Sequence, residues 1–203
     1  MGRALIPVLL ARGHRVTALV RPGAEGKLPL GCASVAGNAL DAATFADHVA
    51  PADTLVHLVG TPHPAPWKAA QFEAVDWASI RASVAAATET GVAHLVYLSV
   101  AHPAPSMRAY WRVRERGERL VAEAGLNATF LRPWYVLGPG HRWPYALIPA
   151  YALLERLPPT RDGARRLGLV TLPQMIAAMV VAVESPPEGQ RVIEVPEIRR
   201  ART

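Results

Sequence analysis

The sequence predicts an α/β fold, a doubly wound sheet of parallel strands with helices on both faces. Three features carry that expectation. The stretch His94-Leu-Val-Tyr-Leu-Ser99 places four consecutive apolar residues, Leu95 to Leu98, between turn-forming segments, the pattern of a strand buried on both faces. Helical and strand patterns alternate along the chain with no repeat or low-complexity linker between them. The helix expected next, Arg108 to Ala124, gathers Tyr110, Val113, Arg114, Gly117, Leu120, Val121 and Ala124 on one side.

The elements follow in order. Arg3–Arg12 carries Leu5 and Leu9, and Ile6 and Leu10, at helical spacing and stops at Gly13. Val16–Val20 reads as a strand closed by Arg21-Pro22-Gly23, and a weaker strand spans Ala33–Ala36. A short helix is expected over Asp41–Val49 and a strand over Thr54–Val59. Phe72, Val75, Ile80, Val84 and Ala87 mark a long helix stopped at Gly91. The central stretch continues with a strand beginning near Thr129, and beyond it comes an apolar, partly helical segment over Trp143–Leu157. That segment is expected to pack in the core, with a greasy substrate cleft or a contact with a membrane surface or a partner as the alternative. That segment is too short to span a bilayer and is broken by Pro144 and Pro149. Arg166–Val170 is expected as a strand. Thr171-x-x-Gln174, with Pro173 in the first turn, opens a helix to about Val183, and Arg191–Val195 closes the order as a short strand.

A chain of 203 residues is expected to form one domain with a sizeable core. With 51% hydrophobic and 19% charged residues it is not a disordered chain. The single Cys32 excludes an internal disulfide and a cysteine-based zinc site. His57, His63, His102 and His141 show no metal-ligand spacing, so no metal is expected. No secretory pattern opens the sequence, which gives the expectation of a cytoplasmic protein. The net charge is +6, and the basic side chains are arginines except for Lys27 and Lys68. The clusters Arg161–Arg166 and Arg199–Arg202 lack interleaved aromatics, so nucleic acid is not expected as a partner.

The chemistry concentrates around the central strand. Tyr110 and Arg114 are four residues apart on one helix and project from the same face. A serine ending the preceding strand, Ser99, can reach that face. A positive charge near a phenol lowers its pKa from about 10, so Ser99, Tyr110 and Arg114 make a candidate proton-transfer site. Each has a plainer reading. Ser99 can cap the next segment, Tyr110 can be an amphipathic aromatic at a helix start, and Glu118 can hold Arg114 as an ordinary surface pair. Gly117 in the helix interior costs about 1 kcal/mol against alanine, which suggests close packing on a neighbour.

The order strand–Ser99, Tyr110 on a helix, then strand–Arg132-Pro133 and Gly138-Pro139-Gly140 resembles the extended and atypical short-chain dehydrogenase/reductases. The likeness is to their NmrA-like and complex-I-accessory-subunit-like branches. Position 114 departs from it, because active members carry lysine where this chain has Arg114. The resemblance implies a Rossmann-like NAD(P)-binding domain over residues 1–203, with a small C-terminal substrate or lid region from about 141 to 203. It also implies Ser99, Tyr110 and Arg114 as the catalytic set, with Arg keeping the charge of lysine in a differently shaped, planar fork.

The same resemblance orders the cofactor side. Such a sheet begins with a strand, a glycine-rich turn and a helix whose N-terminus holds the pyrophosphate. This sequence opens at Met1-Gly2-Arg3, already in that helix, with Gly2 as the last glycine of the turn. The first strand is therefore expected to be missing, and the sequence reads as N-terminally truncated or mis-started. The alternative is a shorter fold in which the strands at Val16–Val20 and Thr54–Val59 pair directly. Gly2, Arg3, Arg21, Asn38, Ala39, Val59, Gly60, Thr61 and Pro133 are the expected cofactor-binding residues. Arg21 stands where an acidic residue would bind a ribose hydroxyl and an arginine a 2′-phosphate, so NADP is expected over NAD. Asn38 can equally be a turn residue and Arg21 a surface one.

Three functions follow. The first is an NADP-dependent oxidoreductase or epimerase/dehydratase-like enzyme acting on a small or apolar carbonyl or hydroxyl substrate. The second is a non-catalytic nucleotide-binding sensor or assembly factor. The third is a fragment that binds nothing.

Overall fold

The structure is a computed structural model that describes residues 1–138 and 146–202. Helix α1 (Gly2–Ala11) leads through Gly13, at φ 88°, to strand β1 (Thr17–Val20). Strand β2 (Ala33–Ala36) follows, then two short 3-10 turns, Ala42–Thr44 and Ala46–His48, replace the single helix expected there. Asp41 caps the first of them by accepting from the Ala43 amide at 3.2 Å. This local side-chain bond competes with a continuous helix. After β3 (Thr54–His57) a long helical stretch begins as α2 (Ala69–Gln71), widens into a π-helix over Phe72–Trp77 and continues as α3 (Ala78–Thr90). Gly91, in the left-handed region at φ 68°, ends it by donating to Ala87.

The central stretch forms β4 (His94–Leu98), α4 (Arg108–Glu123) and β5 (Ala128–Arg132) as expected, followed by β6 (Tyr135–Leu137). Helices α5 (Ile148–Leu154) and α6 (Arg161–Arg166) precede β7 (Leu169–Thr171). The α6 helix occupies the start of the segment expected as a strand. Helix α7 (Leu172–Glu184) opens on the Thr171–Gln174 capping box. After β8 (Gln190–Glu194) comes α8 (Val195–Arg200), a six-residue helix too short to show a period in the sequence.

The pairing is parallel throughout the described strands. One sheet runs β3-β4-β5-β8, a second pairs β1 with β2, and a third pairs β6 with β7. Leu95 sits opposite Ala128, and Val96 opposite Thr129. Alternation along the strands sends side chains to two cores. Leu95, Tyr97, Ala128 and Phe130 face one core with Ile80, Val84 and Ala87 of α3 and Val121 of α4. Val96 and Leu131 face the other, with Leu5 and Leu9 of α1 and Met175 and Met179 of α7, each pair four residues apart. Helices on both faces of a parallel sheet make this a Rossmann-like, doubly wound α/β fold. The strands β1 and β3 lie in separate sheets, so the shorter fold with direct pairing does not form.

The apolar segment before α6 departs from expectation. Of its described residues, Ile148, Leu153, Leu154 and Leu157 are exposed rather than packed in a core. Trp143, Pro144 and Tyr145, with Pro139 and Gly140 of the glycine-proline motif, lie outside the described residues.

Candidate functional site

The carboxyl ends of β3, β4 and β5 converge, and α4 brings Tyr110 and Arg114 to them. Arg114 is 4% exposed. Its Nη1 donates to the Leu98 carbonyl at 3.0 Å, one residue before Ser99, and its Nη2 to the Val59 carbonyl at 3.3 Å. The same Nη2 meets the Asp76 carboxylate at 2.5 Å. The guanidinium carbon lies 5.4 Å from the centre of the Tyr110 ring and 5.6 Å from that of Tyr97. Burial works against the charge of Arg114, but Tyr110, Tyr97 and Asp76 outweigh it and its pKa moves up. Arg114 is thus a buried tie between two strand ends and a helix.

Asp76 explains the π-helix. The carboxylate is fully buried and accepts from the Thr61 amide at 2.9 Å and the Thr61 hydroxyl at 2.6 Å as well as from Arg114. The wide turn over Phe72–Trp77 carries Asp76 to these donors; such turns recur at functional sites. A buried carboxylate without its cation would be costly. Gly60 is required here, since a Cβ on it would collide with Arg114 Nη2.

Glu118 does not hold Arg114 at the surface. It is 5% exposed, and Arg132 of β5 binds it through two nitrogens, Nε at 3.0 Å. His102 Nε2 lies 3.2 Å from the same carboxylate. Burial opposes the charge, yet the hydrogen bonds from His102 and Arg132 hold the Glu118 carboxyl below the usual range. The pair Arg114–Glu118 gives way because α4 buries both side chains, and each then needs a partner from another element.

The candidate residues fall into two groups. Tyr110 and Arg114 touch, and Ser99 follows the strand residue whose carbonyl Arg114 binds. Ser99 is 3% exposed, and its Oγ lies beside Glu118 with no hydrogen bond of ordinary geometry. Tyr110 is half-buried, with its ring centre 5.1 Å from that of Phe72. Thr61 spends its amide and hydroxyl on Asp76, and the carbonyl of buried Pro133 accepts from Ala101 at 2.9 Å. At the other end, the N-terminus of α1 lies beside the residue after β3, a Cβ on Gly2 falling 3.7 Å from a Leu58 methyl. Arg3 and Arg21 are exposed. Asn38 is also exposed, and its Oδ1 accepts from the Leu40 amide at 3.1 Å, with Ala39 in the same turn.

Tyr97, His57, Asp76 and His102 completed the site without a sequence signal of their own. Tyr97 is fully buried, and burial, against the pull of Arg114, pushes its phenol up to about 12. A Cβ at position 117 would lie 2.7 Å from Tyr97 Oη, which is why α4 has glycine there. Burial first, then the charge of Arg114, lowers His57 to about 3, and its Nδ1 meets Ser83 Oγ at 2.8 Å. A groove of about 550 Å³ opens between α2 and the outer side of α4, lined in part by Glu73, Arg112 and Arg116, and none of the candidate residues lines it.

Known proteins share this geometry at the level of the fold. Residues 1–146 match the model of a family described as NAD(P)H-binding. Among solved structures, the chain is similar to the enzyme WbmH of Bordetella bronchiseptica in complex with NAD+, at TM-score 0.69 and 19% identity over 95% of this chain and 71% of that one. It is similar to MoeE5 in complex with UDP-glucose and NAD, at 0.68 and 20% over 97% and 75%. The UDP-glucose 4-epimerase of Thermus thermophilus, in complex with NAD, gives 0.66 and 17% over 98% and 78%. At these identities the likeness establishes the fold. No curated protein sequence matches.

Proposed function

The chain belongs to the NAD(P)H-binding family, and from that premise we propose an NADP-dependent oxidoreductase or epimerase/dehydratase-like activity on a small or apolar carbonyl or hydroxyl substrate. The observation that carries this reading is the buried Ser99 hydroxyl. It ends the central strand without a hydrogen bond of ordinary geometry, and a buried polar group in that state calls for a ligand. The residues present fit a dinucleotide laid across the carboxyl ends of the strands. Ser99, Tyr110 and Pro133 would border its nicotinamide end, Val59, Gly60 and Thr61 its middle, Gly2 and Arg3 its pyrophosphate, and Arg21, Asn38 and Ala39 its adenosine. When bound, that cofactor supplies or accepts the hydride. Ser99 Oγ orients the substrate oxygen, and Tyr110 Oη gives or takes the proton there, with the Arg114 charge against the phenol ring. Arg21, exposed at the end of β1, can meet a 2′-phosphate, which favours NADP.

A second reading rests on Asp76. Arg114 is neutralised by a buried carboxylate, so a chain with this arrangement can bind the dinucleotide without turning it over, as a sensor would. One pair of variants separates the two readings, with NADPH absorbance as the readout across a panel of small aldehydes and ketones. For an enzyme, Tyr110→Phe abolishes oxidation while cofactor affinity stays nearly constant, and Arg114→Lys raises activity. For a sensor, no carbonyl oxidises NADPH and neither substitution changes binding. Full activity in Tyr110→Phe would end the catalytic reading.

A further inference from the structure

Helix α5 and the residues after it present an apolar surface to solvent. Ile148, Leu153, Leu154 and Leu157 are 44%, 59%, 38% and 44% exposed, and Ala150, Ala152, Pro158 and Pro159 between and beyond them are exposed too. Tyr151 alone turns inward, toward Trp134 and Tyr135. Burial first, then Tyr135, pushes its phenol up. So α5 is anchored on the β5–β6 side by one aromatic and shows aliphatic side chains elsewhere.

The rim of this surface is basic. Arg156 follows α5, and α6, which packs on α5, adds Arg161, Arg165 and Arg166 against a single Asp162. Arg161 Nη2 donates to the Arg156 carbonyl at 3.4 Å, which draws it to the end of the apolar run. The one acid within the run, Glu155, is held by Arg199 at 2.8 Å. An aliphatic patch flanked on its C-terminal side by arginines, Arg156 and Arg165 exposed and Arg161 and Arg166 half-buried, matches the boundary between acyl chains and anionic headgroups. A second copy of the chain would bring arginine against arginine across a two-fold axis. A protein partner would be anchored by aromatic side chains in packed pockets, whereas the exposed side chains here are aliphatic.

We propose that the α5–α6 segment docks on an anionic lipid surface, with Ile148, Leu153, Leu154 and Leu157 entering the acyl boundary and Arg156, Arg161, Arg165 and Arg166 meeting the phosphates. Among the described residues no helix is long and apolar enough to cross a membrane, and the proposed mode is contact with the bilayer surface. Because Tyr151 joins α5 to Trp134 and Tyr135, which follow Arg132 and Pro133 in the chain, docking would turn that end of the candidate site toward the lipid. The docking itself does not depend on dinucleotide binding.

Vesicle co-sedimentation of the full chain tests this. Wild-type protein should sediment with vesicles of phosphatidylcholine mixed with phosphatidylglycerol, far less with phosphatidylcholine alone, and less in high salt. The double variant L153E/L154E and the triple variant R161Q/R165Q/R166Q should each lower the partition coefficient about tenfold or more. Thermal melts matching wild type would show that both variants fold, and light scattering reports the oligomeric state. Failure of the wild type to bind mixed vesicles would overturn the proposal. So would equal binding by L153E/L154E, or a dimer that the same variant dissolves in the absence of any vesicle binding.

Discussion

Gly117 and Asp76 show how single residues fix this site. A methyl group on Gly117 meets the Tyr97 ring edge and hydroxyl, so Gly117→Ala should cost about 1–3 kcal/mol in denaturant unfolding, despite its gain in helix propensity. Tyr97→Phe in the same chain should return part of that loss, since it removes the nearest atom. Asp76→Asn keeps the shape but leaves the Arg114 charge buried and uncompensated, for a loss of about 3–5 kcal/mol. Replacing both, as Asp76→Asn with Arg114→Met, should cost less than Asp76→Asn alone; a larger cost would mean that the pair is not coupled. The buried histidines set an acid limit. His57 and His94 are held neutral, at about 3 and about 4, by burial first and then by Arg114 and Arg191 respectively. Both lie below the usual value of about 6.5, so their contribution is complete above that pH and is lost as pH falls toward their folded values. Melting temperature should therefore drop between about pH 6.5 and 4. His57→Asn should flatten that slope; an unchanged slope would place the acid sensitivity elsewhere.

At the scale of elements, the parts with a period or a cap were legible. The buried run of β4, the face of α4 and the stop at Gly91 follow from spacing and turn chemistry alone. The capping box at Thr171 is formed as the sequence implies, the Gln174 side chain accepting from the Thr171 amide at 2.8 Å. Thr171→Ala should cost about 1 kcal/mol in the same unfolding assay. The π-turn was not legible, because widening a helix by one residue leaves no mark in composition. Partner choice was not legible either. The four-residue spacing put Tyr110 and Arg114 on one face correctly. It also suggested Glu118 for Arg114, since the spacing rule describes an exposed helix and α4 is packed on both β4 and the π-turn. The true partners of Arg114 and Glu118 come from the π-turn and from β5, which only the fold brings near. Short elements were lost for a similar reason: α6 and α8 have six residues each, less than two turns of any period.

The whole molecule is a parallel α/β sheet whose strand ends gather the Ser99 and Tyr97 hydroxyls, both buried without a hydrogen bond of ordinary geometry, the Tyr110 phenol and the buried ion pairs Arg114–Asp76 and Arg132–Glu118. β1 and β2 stand as a separate pair beside the sheet β3-β4-β5-β8, and the proposed dinucleotide bridges them, with its adenosine toward Arg21 and its nicotinamide toward Ser99. This separation makes selectivity a long-range test of the assembled fold, since Arg21 and Ser99 belong to different sheets. Calorimetric titration of NADPH and NADH into the wild type and Arg21→Ala is the most direct test of that claim. NADPH should bind with micromolar affinity and more tightly than NADH, and Arg21→Ala should bring the two affinities together. Absence of heat and of saturation with either dinucleotide would contradict it.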